Sequence, residues 1–290
     1  MSRTLISQAQ IGRGRGRYLY WAIVVAVLLI FTLIFIGPLY WMVTGALKSG
    51  QEIAQTPPTL FPKDPQTRNY TDAWTNLNLA KLMFNTFYYA IGAVFFQLVF
   101  DTAAAYALSK LRPIFGNVVL GLMLATLMIP AMVLIVPQYV TAIDLPFVHV
   151  SLLDSPFAIW LPLVANAFNI FLLKRFFDSI PEDLIAAAMV DGASPLRTLW
   201  SIILPMSRPI LGVVSIFAVT YVWKDFLWPK LVMPSPETRT LSVGIYAFSG
   251  GTPMNVVVAA SVIAAIPTVV IFLIFQRNIM AGLTSGSLKG

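Results

Sequence analysis

The chain has 290 residues, of which 58% are hydrophobic and only 11% charged, and it carries a net charge of +7. That balance leaves too little polar surface for a soluble domain and points to a membrane protein; with no cysteine, disulfides and thiolate metal sites are excluded. The basic residues are spread along the borders of apolar runs, which sets aside a nucleic-acid surface.

Residues 1–17 form a basic tail, read as cytoplasmic. Its GRGRGR run at 12–17 looks like a phosphate loop only superficially, since no strand precedes it and no Gly-Lys-Ser/Thr follows. The long apolar run after it has no small-residue cleavage site, which predicts a retained first membrane helix at 18–45 and not a cleavable signal. An extracytoplasmic loop follows at 46–80. Further runs long enough to cross ~30 Å of hydrocarbon, about 20 residues each, fall at 84–108, 117–140, 152–173, 209–228 and 255–276. Six spans result, all helical, because lipid offers no partner to an open backbone N–H or C=O. The fold class is therefore an all-α membrane protein. With the N-terminus inside, Arg3, Arg13, Arg15, Arg17, Lys110, Arg112, Lys174, Arg175, Arg197, Arg208, Arg277 and Lys289 all face the cytoplasm, whereas the outer segment 141–151 has no Lys or Arg. Both termini are thus placed in the cytoplasm.

Pro38, Pro130, Pro137, Pro162 and Pro267 lie inside or at the edges of spans, where each removes a helix hydrogen bond and tends to kink the helix. Asp101, near the inner end of the second span, either pairs locally or serves as the ion or proton site of an autonomous secondary carrier. His149 lies in an outer loop beside Asp144 and Asp154 and reads as a solvated residue, with no HExxH or GxSxG nearby. Asn166 and Asn169, three apart on the fourth span, share a helix face. Interhelical glue and a pair facing a polar solute are both open readings of them. Near the outer end of the fifth span, Trp223-Lys224-Asp225-Phe226-Leu227-Trp228 fits an interfacial aromatic belt. It also fits aromatic faces for the rings of a hydroxyl-bearing solute, with Asp225 accepting hydroxyls. The outer loop at 229–254 is long enough to contact an external protein.

The loop at 177–209 is polar and punctuated by proline. Ser179 and Glu182 have the spacing of a capping box, with Pro181 in the first turn. Glu182 and Asp183 place negative charge at the positive end of the helix dipole. A helix through Leu184, Ile185, Ala186, Ala187, Ala188 and Met189 to Asp191 would be ~18 Å long, and Gly192 stops it. Ser194-Pro195 starts a second helix that reaches Leu204-Pro205. The alanines give a smooth surface suited to a partner's groove; an ordinary interfacial amphipathic helix is the plainer alternative.

This stretch resembles the signature loop of ABC importer permeases, E-A-A-x3-G-x9-I-x-L-P, read here as Ala186-Ala187-Ala188, Gly192, Ile202, Leu204 and Pro205. Ala186 stands where the family usually has Glu, and Lys224 where it often has Asn. Other segments resemble the maltose-type carbohydrate uptake permeases: PLYWMVTGALKS with Glu52-Ile53, Pro57-Pro58, Asn69-Tyr70 and Trp74; AAAYALSK at 103–110; IWLPLVANAFNIFLLKRFF at 159–177; and the ending QRNIMAGLTSGSLKG. The likeness covers nearly the whole chain, with the permease domain at 81–276 and a C-terminal tail at 277–290 that in the family reaches toward the ATPase dimer.

The resemblance implies a six-helix ABC transporter type-1 (MetI-like) permease fold and the permease subunit of a binding-protein-dependent carbohydrate importer. It implies a second permease, two ATP-binding subunits and an extracytoplasmic substrate-binding protein as partners. No cofactor and no enzymatic site fall on this chain; ATP and magnesium belong to the partner ATPases. Glu182, Asp183, Ala186, Ala187, Ala188, Asp191, Gly192, Ile202, Leu204 and Pro205 become the coupling residues. Asn166, Asn169, Trp223 and Asp225 become candidates for the substrate pathway.

Overall fold

A computed structural model describes residues 15–285, with side chains over 17–276. Most of the basic tail 1–17 and the side chains of the 277–290 tail therefore lie outside the described residues. The elements in order are α1 (Arg15–Ala46), α2 (Gly50–Ile53), α3 (Arg68–Asn76), α4 (Leu79–Leu111), α5 (Gly116–Thr126), α6 (Ala131–Ile143), α7 (Phe157–Leu163) and α8 (Ala167–Asp178). Then come α9 (Glu182–Val190), α10 (Pro195–Met206), α11 (Arg208–Lys224), α12 (Leu227–Val232), α13 (Leu241–Ser249) and α14 (Met254–Ser285). The described residues contain no strand.

Three helices, α1, α4 and α14, are long and apolar enough to cross a membrane unbroken. Three further helix pairs reach that length only when taken together, and each is bent: α5 and α6 meet at 100°, α7 and α8 at 50°, and α10 and α11 at 82°. Counting each pair once gives six spans. The expected runs at 117–140, 152–173 and 209–228 are thus not single straight helices. Pro130, with no N–H to donate, is the N-cap of α6, outside the helical conformation at φ −58° and ψ 127°. Asn166, three residues beyond α7, is extended at φ −107°. Pro38 and Pro267, by contrast, sit inside continuous helices. The fifth span ends sooner than expected, at Lys224, where Asp225 turns extended. The outer segment 229–254 is not an open loop either, since it holds α13.

The chain divides into two compact units. In the first, built from residues up to 73 and 252–262, α1 is exposed along almost its whole apolar length, as a helix covered by lipid should be. The residues after it are held by polar side chains. Asn69 Nδ2 donates to the carbonyls of Ala46 (2.8 Å) and Lys48 (2.9 Å), and Asn255 Nδ2 donates to Asn69 Oδ1 at 2.8 Å. Glu52 accepts from the Thr59 hydroxyl at 2.7 Å and from Lys63 N at 3.1 Å. Buried Lys48 lies over the Trp41 ring and donates to Thr59 O.

The second unit, residues 74–251 and 263 onward, is organised around α4. At its Leu111 end Ala105 and Tyr106 join Ile170, Leu173 and Phe177 of α8 and Ile210, Val213 and Val214 of α11 in one apolar cluster. Toward its Leu79 end Tyr89, Ala90 and Ala93 pack with Ile159 and Trp160 of α7 and with Val222 and Val232. Close approach there needs small residues: a Cβ on Gly92 would lie 2.2 Å from the Trp160 ring.

Candidate functional site

The loop between the fourth and fifth spans is built as two short helices, with one difference from expectation at its start. No capping box forms. Ser179 still has the helical conformation of the end of α8, so its hydroxyl donates back to Phe176 O at 2.6 Å. Pro181 becomes the N-cap and α9 begins at Glu182, which leaves the helix about 13 Å long at 1.5 Å per residue. The Glu182 carboxylate pairs with Arg112 instead.

At the far end Gly192, at φ +75°, stops the helix as expected. Gly192 N donates to Met189 O (3.0 Å) and Ala193 N to Ala188 O (2.9 Å), the paired bonds of a Schellman turn. Ser194 then caps α10, accepting from Arg197 N at 3.3 Å, with Pro195 in the first turn.

Ile185 of α9 is buried in the cluster under the loop and Ala188 is buried too, while Asp183, Ala186, Ala187 and Asp191 are exposed. Ile202 and Leu204 are half-buried around Ile203, which is fully buried, and Pro205 is exposed. The two helices also turn large apolar groups outward: Val190 is 87% exposed, and Leu196 and Trp200 69% each. The result is a short helix pair resting on the core, whose outward face mixes these apolar groups with the charges of Glu182, Asp183, Asp191 and Arg197.

That surface is tied to the end of α4, in contacts that sequence reasoning missed. Ser109 Oγ donates to Asp178 Oδ1 at 2.7 Å, and Lys174 Nζ to Asp178 Oδ2 at 2.8 Å. Lys110 Nζ donates to Ile180 O and the Tyr106 hydroxyl to Pro195 O, each at 3.0 Å. Three of these anchors, Tyr106, Ser109 and Lys110, lie in the AAAYALSK segment, yet nothing local to that segment names a partner some 70 to 90 residues away.

The pathway candidates separate into different environments. Asn166 and Asn169 do not share a face of one helix. Asn166 is the N-cap of α8, its Oδ1 accepting from Asn169 N at 3.0 Å. Asn169 is buried and donates through Nδ2 to Gln97 Oε1 at 3.0 Å. Asp101, at 0% exposure, accepts from Asn166 N at 2.9 Å, so the break in the fourth span is held by α4.

Trp223 is 7% exposed, with its ring 4.7 Å from that of Phe87 and its Nε1 donating to Ala264 O at 3.1 Å. Asp225 instead lines a cavity of about 190 Å³ together with Gln138, Tyr221 and Trp228. A second cavity of about 370 Å³ shares Gln138 and Trp228. Trp228, at the end of the aromatic segment, is therefore the tryptophan beside Asp225; Gln138 carried no signal in the sequence, since an isolated glutamine has no spacing to read. His149 and Asp144 form an exposed pair at 3.1 Å. Asp154 points elsewhere, accepting from Ser235 N at 3.0 Å and Ser235 Oγ at 2.7 Å.

Residues 101–284 match the family model described as the binding-protein-dependent transport system inner membrane component. The chain is 32% identical over 257 residues to the sulfoquinovosyl glycerol transport system permease protein of Agrobacterium fabrum, covering 87% of this chain and 88% of the relative. It is 30% identical to the sn-glycerol-3-phosphate transport system permease protein of the same organism (85% and 89% covered). The melibiose/raffinose/stachyose import permease protein of Bacillus subtilis is 29% identical (87% and 91%). Among solved structures, a chain of a bacterial ABC transporter involved in import of the acidic polysaccharide alginate superimposes with a TM-score of 0.80 at 25% identity, covering 91% of this chain and 98% of that one.

Proposed function

Because this chain belongs to the family of binding-protein-dependent transport system inner membrane components, we propose that it is the permease subunit of an ATP-driven ABC importer for a sugar or oligosaccharide. The fold is the all-α, type-1 permease fold. The observation that carries the reading is the α9–α10 surface, a rigid helix pair with an outward apolar face, seated on the core beside the basic end of α4. That end faces the cytoplasm, as the distribution of Lys and Arg supports.

Two ATP-binding subunits supply ATP and magnesium chemistry, and one of them receives α9. The coupling residues are those of α9 from Glu182 to Asp191, with Gly192, Ile202, Leu204 and Pro205. A second permease completes the pathway, and a solute-loaded binding protein docks on the outer surface. ATP binding carries α9 inward with its ATPase, the spans tilt to face outward, and hydrolysis resets them; each ligand biases the equilibrium only by its different affinity for the two states. Solute meets Asp225, Gln138 and Trp228, whereas Asn166 and Asn169 hold helices together.

The test is to purify the assembled complex and measure ATP hydrolysis with its binding protein while oligosaccharides, polyols and glycerophosphodiesters are screened. A carbohydrate should stimulate hydrolysis. Stimulation by none of them, or by a non-carbohydrate alone, refutes the assignment.

A further inference from the structure

We propose that α4 is the strut joining the ATPase-docking loop to the outer segment 234–241, with Tyr106 and Ser109 positioning one end and Asn85 and Tyr89 the other. The proposal rests on the importer reading above and adds to it the element through which the two faces communicate. α4 continues from Leu79 to Leu111, its inner end Ala107–Leu111 wound as a π-helix, whereas three neighbouring helix pairs bend by 50° to 100°. An unbroken helix passes displacement from end to end; a bent pair absorbs it at the joint.

At the inner end α4 holds both flanks of α9. Ser109 bonds Asp178 and Lys110 bonds Ile180 O just before it, and Tyr106 bonds Pro195 O just after it. The loop helix cannot move without carrying the end of α4 along or breaking these bonds.

The outer end repeats the arrangement on a different partner. Asn85 Nδ2 donates to Glu237 O (2.8 Å) and Arg239 O (3.0 Å), and the Tyr89 hydroxyl donates to Thr238 O at 2.8 Å. Thr86 Oγ1 accepts from Leu241 N at 2.8 Å. Residues 237–240 have no helix or strand of their own, so α4 side chains take the place of a backbone ladder for the carbonyls of Glu237, Thr238 and Arg239 and for the buried Leu241 N–H. This segment lies on the face assigned to the binding protein. One helix thus fixes the backbone of the outer segment and brackets the inner lever.

The experiment uses the assembled complex with its binding protein and a stimulating solute. Tyr89→Phe and Tyr106→Phe each keep the ring and delete one hydroxyl, and the two sites are about 25 Å apart at 1.5 Å per residue. Each should lower the ratio of stimulated to basal ATP hydrolysis about three- to tenfold, the scale of one lost hydrogen bond. The double variant should be no worse than the more affected single, because a strut cut at one end has nothing further to transmit. Unchanged ratios in the singles overturn the proposal. So do losses that multiply in the double, which is the behaviour of independent sites so far apart. Asn85→Ala and Ser109→Ala repeat the cycle if a tyrosine variant fails to assemble. A wild-type complex with no response to its binding protein would strike the importer reading itself, and is thereby distinguished from failure of the strut alone.

Discussion

At Gly192 the chain leaves α9 with a positive φ of 75°, and a Cβ added there meets open space. The requirement for glycine is therefore backbone strain alone, about 1–2 kcal/mol for another L-residue. Gly192→Ala should lower the melting temperature of the complex by a few degrees, and Gly192→Asn by less; equal losses would mean that the turn is not held by its left-handed residue. Glu52 makes a second prediction. The Thr59 hydroxyl, then Lys63 N–H and the charges of Lys48 and Lys63, hold its carboxyl below the usual range against the opposing effect of burial. A depressed carboxylate adds stability above the ordinary value of about 4.3, which is lost as pH falls through the lower folded value. Hydrogen-exchange protection over 48–66, relative to the intrinsic rate at each pH, should accordingly fall below about pH 4, and Glu52→Gln should remove that pH dependence. The aromatic segment calls for a similar distinction between neighbours. Trp223→Ala empties a buried site, at a cost of about 3–5 kcal/mol, and should impair assembly. Trp228→Leu and Asp225→Asn, on the cavity wall, should reduce uptake in complexes that still assemble.

At the scale of the element, the break between α7 and α8 depends on a residue outside both. Asp101 of α4 accepts the Asn166 N–H where the helical ladder is interrupted. An autonomous carrier using Asp101 as its proton site would lose uptake on Asp101→Asn. The cap predicts otherwise. Asparagine keeps an acceptor oxygen, so Asp101→Asn should retain uptake, while Asp101→Leu strands a buried N–H at about 1–3 kcal/mol and should lower thermal stability. Abolished uptake with full stability in Asp101→Asn would revive the carrier. The helices themselves were legible in the sequence, since an apolar run of membrane length is a local property. The angles of their joints were not. Pro130 and Pro162 lie at or just before broken joints and Pro38 and Pro267 in continuous helices, because neighbouring helices decide whether a missing hydrogen bond becomes a bend.

For the whole molecule, the importer reading proposed above requires force delivered from another polypeptide. Vesicles holding the purified chain alone should accumulate no solute under an imposed ion gradient, and the full complex should do so with ATP; uptake by the lone chain would contradict the division of labour. Gly192→Trp places bulk at the end of α9 and should abolish co-purification with the ATPase, whereas Gly192→Ala should retain it. A tryptophan variant that still binds the ATPase would move the dock elsewhere.

Taken by itself, the sequence established membrane residence, the apolar runs of membrane length, the helix pair of the 177–209 loop and its glycine stop. These follow from hydrophobic length, proline and glycine stereochemistry and motif spacing, all written within a few dozen consecutive residues. Tertiary structure alone decided that Ser179 closes α8 instead of opening α9, that Asn169 faces Gln97, and that Trp228 rather than Trp223 stands beside Asp225. It alone also brought α4 to both loops. The bonds of α4 and of Asn169 join donors and acceptors 69 to 155 residues apart along the chain, and buried polar groups choose partners by proximity in the folded bundle, which no local pattern records.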